Sequence, residues 1–409
     1  MMDEKQSQEK ERRRMKNMSK RNVFFMLSAV SLLLFMGTPA GAQETLKIGF
    51  FAPITGPAAA DGASAKHAVE LGVKEVNDAG GINGKKVELI VYDDRLKAEE
   101  AVAIANKLIE KDKVVGVVSG SYSGPTRVAA PIFQKAGMPM VAGYAVHPDV
   151  TWDSNTKKPN DFIFRNGFLG EVEGAAAAQF AVKELKAKKV AIIAMDNDFG
   201  RSISAGFAAR AEKLGASVLT KEMYKFPGEK DFRPYLTRIK GTNCDLIFAA
   251  GYYNEAASIV RQAKELEIKV QILGEEGFDS PKFIEIAGDA AEGVIIATNL
   301  DRDDPRPVVQ NFLKGYKAAY KEDADMVGAS SYDAFMILLD AIKKAGTDPK
   351  AIQKALLATK DYNGLTGKIS RFVEGEVVKP VQIQIVKGGK FVRKSVVDDP
   401  EIITPPKKQ

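Results

Sequence analysis

The chain of 409 residues has one cysteine and two histidines, so it is poor in the side chains that most often do metal and proton-transfer chemistry. Cys244 stands alone in the apolar run Asn243-Cys244-Asp245-Leu246-Ile247-Phe248. No intramolecular disulfide can form, and the cores must hold by burial alone. His67 falls on the face of a helix, and His147 sits in the turn Ala145-Val146-His147-Pro148-Asp149. With a single thiol and two separated imidazoles, a zinc site is not expected. Nothing beyond the first 42 residues is long and apolar enough to span a bilayer as a helix. Asp93-Asp94 ends an apolar segment, where carboxylates cap turns more often than they hold metal. Gly80 to Lys86 has no Ser or Thr after its lysines and leads into a strand, so it is a turn and not a phosphate loop. No nucleophile-base pair, metal cluster or cofactor loop is left. The chain is expected to be neither an enzyme nor a cofactor carrier.

What is present begins with a leader. Lys5 to Arg21 carry eight basic residues, and Val23 to Met36 form an apolar run of fourteen. Ala40-Gly41-Ala42 supplies the small residues that a signal peptidase reads, so residues 1–42 are expected to be removed and Gln43 to become the first residue. Fourteen apolar residues fall short of the roughly 20 that a spanning helix needs, which argues against an anchor. The leader holds 8 of the 59 basic and 4 of the 53 acidic residues, leaving 51 against 49. The near-neutral remainder offers no nucleic-acid footprint. Its 367 residues suit two domains.

Leu46 to Phe51 reads as a buried strand that breaks at Pro53-Ile54-Thr55-Gly56-Pro57. A helix follows with Ala65, Val69, Val73 and Val76 on one face. It stops at Ala79-Gly80-Gly81-Ile82-Asn83-Gly84-Lys85-Lys86, and Val87 to Tyr92 forms a second strand. Strand and helix patterns then alternate in two successive series. This predicts an α/β protein with two doubly wound parallel-sheet lobes. In such sheets ligand loops lie at the carboxyl ends of the strands.

The paired motifs Pro53–Pro57 and Ala79–Lys86 closely resemble the opening of the leucine/isoleucine/valine-binding family, the periplasmic solute-binding proteins of branched-chain amino acid ABC transporters. The resemblance extends over nearly all of the chain after the leader. It implies a type I periplasmic binding fold whose lobes are joined by a three-crossover hinge, with crossings near Arg165, Asn299 and Gly367. The first lobe is then 43–164 plus 300–366, the second 165–299 plus 367–400, and 401–409 a loose tail. It further implies a periplasmic monomer that captures a small amino acid or similar carboxylate between its lobes and delivers it to an inner-membrane permease. Members of the family often carry a disulfide in the first lobe; Leu96 and Tyr122 stand at the matching positions here.

An amino-acid ligand sets three requirements: backbone N–H groups and a hydroxyl for its carboxylate, a carboxylate for its ammonium, and an apolar wall for its side chain. Gly120 to Thr126 follows a strand and opens a helix, and Ser123 resembles the serine that grips the carboxylate, with Ser121 as the alternative and plain helix capping as the bland one. Tyr122 lies in the same loop. Tyr144, Ala145 and Val146 fall where the family offers backbone groups and a threonine hydroxyl; Val146 cannot supply the hydroxyl. Phe199 matches a cleft tyrosine, and Tyr252 matches the tyrosine of a Gly-Gly-Tyr turn, with Tyr253 beside it. Glu276 aligns with the glutamate that takes the ammonium, and Glu275 is adjacent. Asp61 stands where an aromatic residue is usual; it could favour a polar or basic ligand or simply cap the first helix. These departures keep two other readings open: the same fold serving an aromatic carboxylate, an amide or urea, or a ligand sensor for a signalling partner.

Overall fold

A computed structural model describes residues 2–33 and 45–407, with side chains described at 2–18 and 45–407. Residues Met1–Glu44 form a unit of their own, built on helix α1 (Met2–Leu33). The expected cleavage site at Ala40 to Ala42 and the end of the apolar run lie outside the described residues. Among the described residues no helix is long and apolar enough to cross a membrane.

The second unit, Thr45–Gln409, starts with β1 (Thr45–Ala52), α2 (Ala59–Asp78), β2 (Lys86–Asp93), α3 (Ala98–Lys107), β3 (Gly116–Ser119), α4 (Ser123–Ala136) and β4 (Met140–Ala142). A small hairpin, β5 (Trp152–Asp153) and β6 (Lys158–Pro159), precedes β7 (Ile163–Arg165). There follow α5 (Gly170–Lys183), β8 (Lys189–Met195), α6 (Asp198–Lys213), β9 (Ser217–Tyr224), α7 (Arg233–Gly241), β10 (Leu246–Ala250), α8 (Tyr253–Glu265), β11 (Gln271–Gly274), α9 (Pro281–Ala287) and β12 (Ile295–Thr298). The chain ends with α10 (Pro307–Tyr320), α11 (Met326–Ala345), α12 (Pro349–Leu357), β13 (Lys360–Gly364), β14 (Gly367–Val373), β15 (Glu376–Val378), β16 (Val381–Lys387), β17 (Lys390–Val397) and α13 (Pro400–Ile403).

Two sheets result. The first runs β13-β14-β15-β7-β4-β3-β1-β2 and the second β17-β16-β12-β11-β10-β8-β9. The βα alternation makes the strands from β1 through β12 parallel within their sheets, the β5–β6 hairpin apart, while β13, β14, β16 and β17 add antiparallel edges. Ile48 opposite Leu89 and Phe50 opposite Val118 set the register of the first sheet. Helices cover both faces of each sheet, which is why these strands read as continuous apolar runs. Helix ends follow local chemistry: Asp325 accepts from Gly328 N at 2.8 Å to start α11, and Asp348 accepts from Ala351 N at 2.8 Å beside Pro349 to start α12.

The chain passes between the sheets after Arg165 and after Thr298, and a third time at Lys379-Pro380. The last position corrects the expected crossing near Gly367. Residues 367–378 pair in the first sheet, through Glu376 opposite Arg165, and so belong with the first lobe. The segment Val377 to Val386 reads as one strand by alternation, yet Pro380 has no N–H to donate and splits it. The tail also differs from expectation. Asp399 caps the short α13, and Ile402 and Ile403 are buried, Ile402 within the core of the second lobe.

Each crossing carries a buried polar side chain. Arg165, fully buried, places Nε 3.0 Å from Glu376 Oε2 and donates from Nη2 to the His147 carbonyl at 2.7 Å. Asn299 donates to Glu276 Oε2 at 2.7 Å. Lys379 donates to Thr366 Oγ1 at 2.6 Å, and Thr366 is held by Asp333 through its N–H and hydroxyl. In the second lobe α5 and α6 approach through glycines: a Cβ on Gly174 would lie 2.6 Å from Phe207 N, and one on Gly206 2.6 Å from Glu171 Cα.

Candidate functional site

The carboxyl ends of β1, β3 and β4 in the first lobe face those of β8, β10 and β11 in the second. One hydrophobic cluster runs from Phe50 and Val118 through Tyr122, Tyr144, Val146, Phe199 and Tyr252 to Ile193 and Ile247, so the lobes are closed on one another. The contact that joins them is aromatic: the Tyr122 and Tyr252 ring centroids are 4.1 Å apart. Tyr144 meets Tyr122 edge-on at 5.4 Å, and Phe199 lies 5.4 Å from Tyr252. Phe226, which follows β9, meets Tyr252 edge-on at 5.2 Å. Sequence reasoning missed Phe226. Its signal is an aromatic just past the carboxyl end of a strand, β9.

Ser123 opens α4 but does not cap it. Its hydroxyl accepts from Val146 N at 3.1 Å, tying the β4 loop to the helix start. Ser121 is buried beside Asp94, whose carboxyl accepts from Leu96 N at 2.8 Å. Both backbone groups of Val146 are engaged, since its carbonyl accepts from Gly170 N at 2.9 Å. Tyr144 donates its hydroxyl to the Gly120 carbonyl at 2.7 Å. Ala145 points the other way and packs with Phe51 and Phe133, so its side chain does not join this group. Leu96 and Tyr122 form no disulfide, being what they are. His67 stacks on Tyr320 at 4.1 Å, and His147 accepts from Asp149 N at 3.2 Å in its turn.

The two glutamates separate cleanly. Glu275 spends both oxygens on backbone, accepting from Gly251 N at 2.9 Å and Gly277 N at 2.6 Å, and thereby fixes the turn that carries Tyr252. Burial pushes its carboxyl up to about 8. Glu276 accepts from Asn299 at the second crossing, while its N–H donates to Glu173 Oε1 at 2.9 Å. Burial and then Glu275 raise the Glu276 carboxyl, and Lys379 and Arg165 pull it back. Glu173 is a residue that sequence reasoning passed over. It is a lone buried acid on the alanine-rich α5, raised by burial and then by Glu276 and Glu275.

Asp61, in the first turn of α2, accepts the Tyr122 hydroxyl and is 3% exposed. It makes no cap to its own helix. At the rim Arg127 of α4 meets Asp198 of α6 at 2.8 Å, a half-buried pair that no apolar pattern could announce. Among the described residues no group of three acidic, histidine or cysteine side chains could hold a metal ion.

Buried carboxyls set a pH dependence. Burial pushes Asp94 and Asp325 up from 3.8 to about 6. The folded state then keeps protons that the unfolded chain has released, so stability falls as pH rises through 6. Lys379, pushed down to about 7 by burial, stays protonated in both states below that value. The protein should therefore melt higher at pH 5 than at pH 7, with Asp94 and Asp325 each contributing about 1 kcal/mol over that interval. Thermal melts across the range check this, and Asp325→Asn should flatten the slope. A melting temperature that climbs from pH 5 to pH 7 would contradict it.

A two-lobed α/β fold closed over the carboxyl ends of both sheets defines a ligand-enclosing binding protein. The chain matches the family described as periplasmic binding protein over residues 45–390, and it belongs to that family. It is 29% identical over 337 residues to the leucine-, isoleucine-, valine-, threonine- and alanine-binding protein of Pseudomonas aeruginosa, covering 82% of this chain and 88% of that one. Among solved structures it resembles a leucine-binding protein, LivK, of Thermotoga maritima, with TM-score 0.79, 32% identity, and coverage of 87% of this chain and 99% of that one. It also resembles the branched-chain amino acid transporter substrate-binding protein LivJ of Streptococcus pneumoniae in complex with isoleucine, with TM-score 0.78, 29% identity, and coverage of 87% and 99%. The fold is that of type I periplasmic binding proteins, and the LivJ neighbour is a transporter's substrate-binding protein.

Proposed function

We propose that this protein is an exported periplasmic solute-binding protein that closes its lobes over an amino acid and hands it, as a monomer, to an inner-membrane ABC permease. The observation that carries the reading is the convergence of the α4 start with Ser123, from one lobe, on the Tyr252 turn, from the other. Free N–H groups at the start of α4 suit the ligand carboxylate, and the Ser123 hydroxyl adds a donor. The Val146 and Tyr144 backbone supports that loop, with Ala145 between them. Phe199, Tyr252 and Tyr122 form the apolar wall. Glu276 is the acceptor for the ammonium, positioned by Asn299.

Stripped of ligand by unfolding and refolding, the protein is expected to gain about 2.7 kcal/mol of stability at ~100 times the dissociation constant of its ligand, visible as a thermal shift. Ser123→Ala should weaken that ligand about tenfold, as loss of one charge-assisted hydrogen bond implies. Glu276→Gln should weaken it further. Retention of wild-type affinity by Glu276→Gln removes the ammonium assignment.

One observation favours a second reading. Asn299 hydrogen-bonds Glu276 and the charge of Lys379 offsets it, so an amine-free acid or amide would not leave Glu276 unanswered. Thermal shifts with aromatic acids, urea and simple amides, and none with amino acids, would establish it in place of the first.

A further inference from the structure

The Asp61 carboxyl is one of the incompletely satisfied polar groups of the cleft. Its Oδ2 accepts the Tyr122 hydroxyl, while its Oδ1 is buried without a hydrogen-bond partner among the described residues. It faces the opposite lobe: Tyr253 of α8 lies against the Ala60 amide, and the charges Asp61 feels include Glu255 of α8 and Asp279 after β11. Those neighbours, with Asp325, are all acidic. Asp279 is answered by Arg302, and Asp325 by Ser64 and Gly328; among the described residues no cation pairs with Asp61.

Around it stand aromatic rings whose polar tips are already occupied. Tyr122 donates to Asp61 itself, Tyr144 donates to the Gly120 carbonyl, and Tyr252 accepts from Asn197 at 3.3 Å. Aromatic ring surface and one carboxyl oxygen are therefore most of what this corner offers, beside the Tyr252 hydroxyl proton. Ring faces carry negative quadrupole potential, and a carboxylate within them makes a receptor for an organic cation. An aliphatic side chain in the same place would leave Oδ1 buried and unpaired, and an acidic one would add a further negative charge.

We propose that Asp61 makes this corner of the cleft the receptor for a cationic side-chain tip, an ammonium or guanidinium, so that the ligand is a basic amino acid and not an aliphatic one. The inference rests on the amino-acid reading above and narrows it. Asp61 then sets specificity: it pairs with the far end of the ligand, while the α4 start and Glu276 hold the α-carboxylate and α-ammonium.

The test is calorimetric titration of the ligand-stripped full chain with lysine, ornithine and arginine against leucine, isoleucine and valine. At least one basic amino acid is expected to bind ten times or more tighter than any aliphatic one. Asp61→Asn should erase that preference, and Asp61→Leu should reverse it, with far-UV circular dichroism confirming that each variant folds. If a variant does not fold, the ranking of ligands on the wild-type chain still decides. Aliphatic amino acids binding as tightly as basic ones would overturn the role of Asp61 and leave the amino-acid reading standing. So would a preference that survives Asp61→Asn. Binding of amine-free acids alone would overturn both.

Discussion

Arg165→Met is expected to remove about 3–5 kcal/mol of folding stability, seen as a lower denaturant midpoint with an unchanged slope. Arg165 is fully buried, and its guanidinium holds the Glu376 carboxylate, the His147 carbonyl and, at 3.4 Å, the Phe168 carbonyl. Removing the cation strands a carboxylate with no route to water. Arg165→Lys should recover little, because a single ammonium cannot reproduce the fork that reaches three acceptors. The double variant Arg165→Met with Glu376→Leu should regain most of the loss, since replacing both partners removes the unpaired charge. A single variant as stable as the wild type would show that the pair adds nothing. The effect should also reach beyond one strand, because Glu376 arrives with the late return of the chain to the first sheet.

The second large effect belongs to Gly174. Alanine there would drive its Cβ into the Ile203 carbonyl and Phe207 N of the facing helix, which are backbone atoms that no rotamer change can move. The helices must separate, opening the core formed by Val172, Ala176, Ile203 and Phe207. A loss of about 3 kcal/mol is expected, at the upper end of ordinary overpacking. Gly241→Ala is the matched control: it lies in α7, and a Cβ there would meet nothing within 4 Å. That variant should be neutral or gain up to about 1 kcal/mol from helix propensity. Similar melting temperatures for the two variants would contradict the packing argument.

The first βαβ unit was legible in the sequence because every local signal agreed: a buried strand, a one-faced helix, paired glycines and a second strand. The late strands were not. Lys360 to Gly364 is polar and half exposed, and its partner β14 alternates like any edge strand, so nothing local says which sheet receives them. That choice is made by Glu376 opposite Arg165, a pairing more than two hundred residues apart. Site residues followed the same division. Loop positions at strand ends could be named, because parallel sheets put ligand loops there. Their partners could not: the backbone duty of Glu275, the union of Ser123 with Val146 and the burial of Glu173 beside Glu276 depend on how segments far apart in the sequence meet within each lobe.

The aromatic junction between Tyr122 and Tyr252 has a consequence for how affinity is divided. On the proposed reading the recognition groups divide between the two lobes, so the measured dissociation constant is the product of capture by one lobe and an isomerisation that brings the other. Any contact made only across the lobes shifts that isomerisation without touching the ligand, and Arg127 with Asp198 is such a contact. Tightness can then be tuned from the surface, while the inner corner chooses the ligand. The two properties are free to change independently.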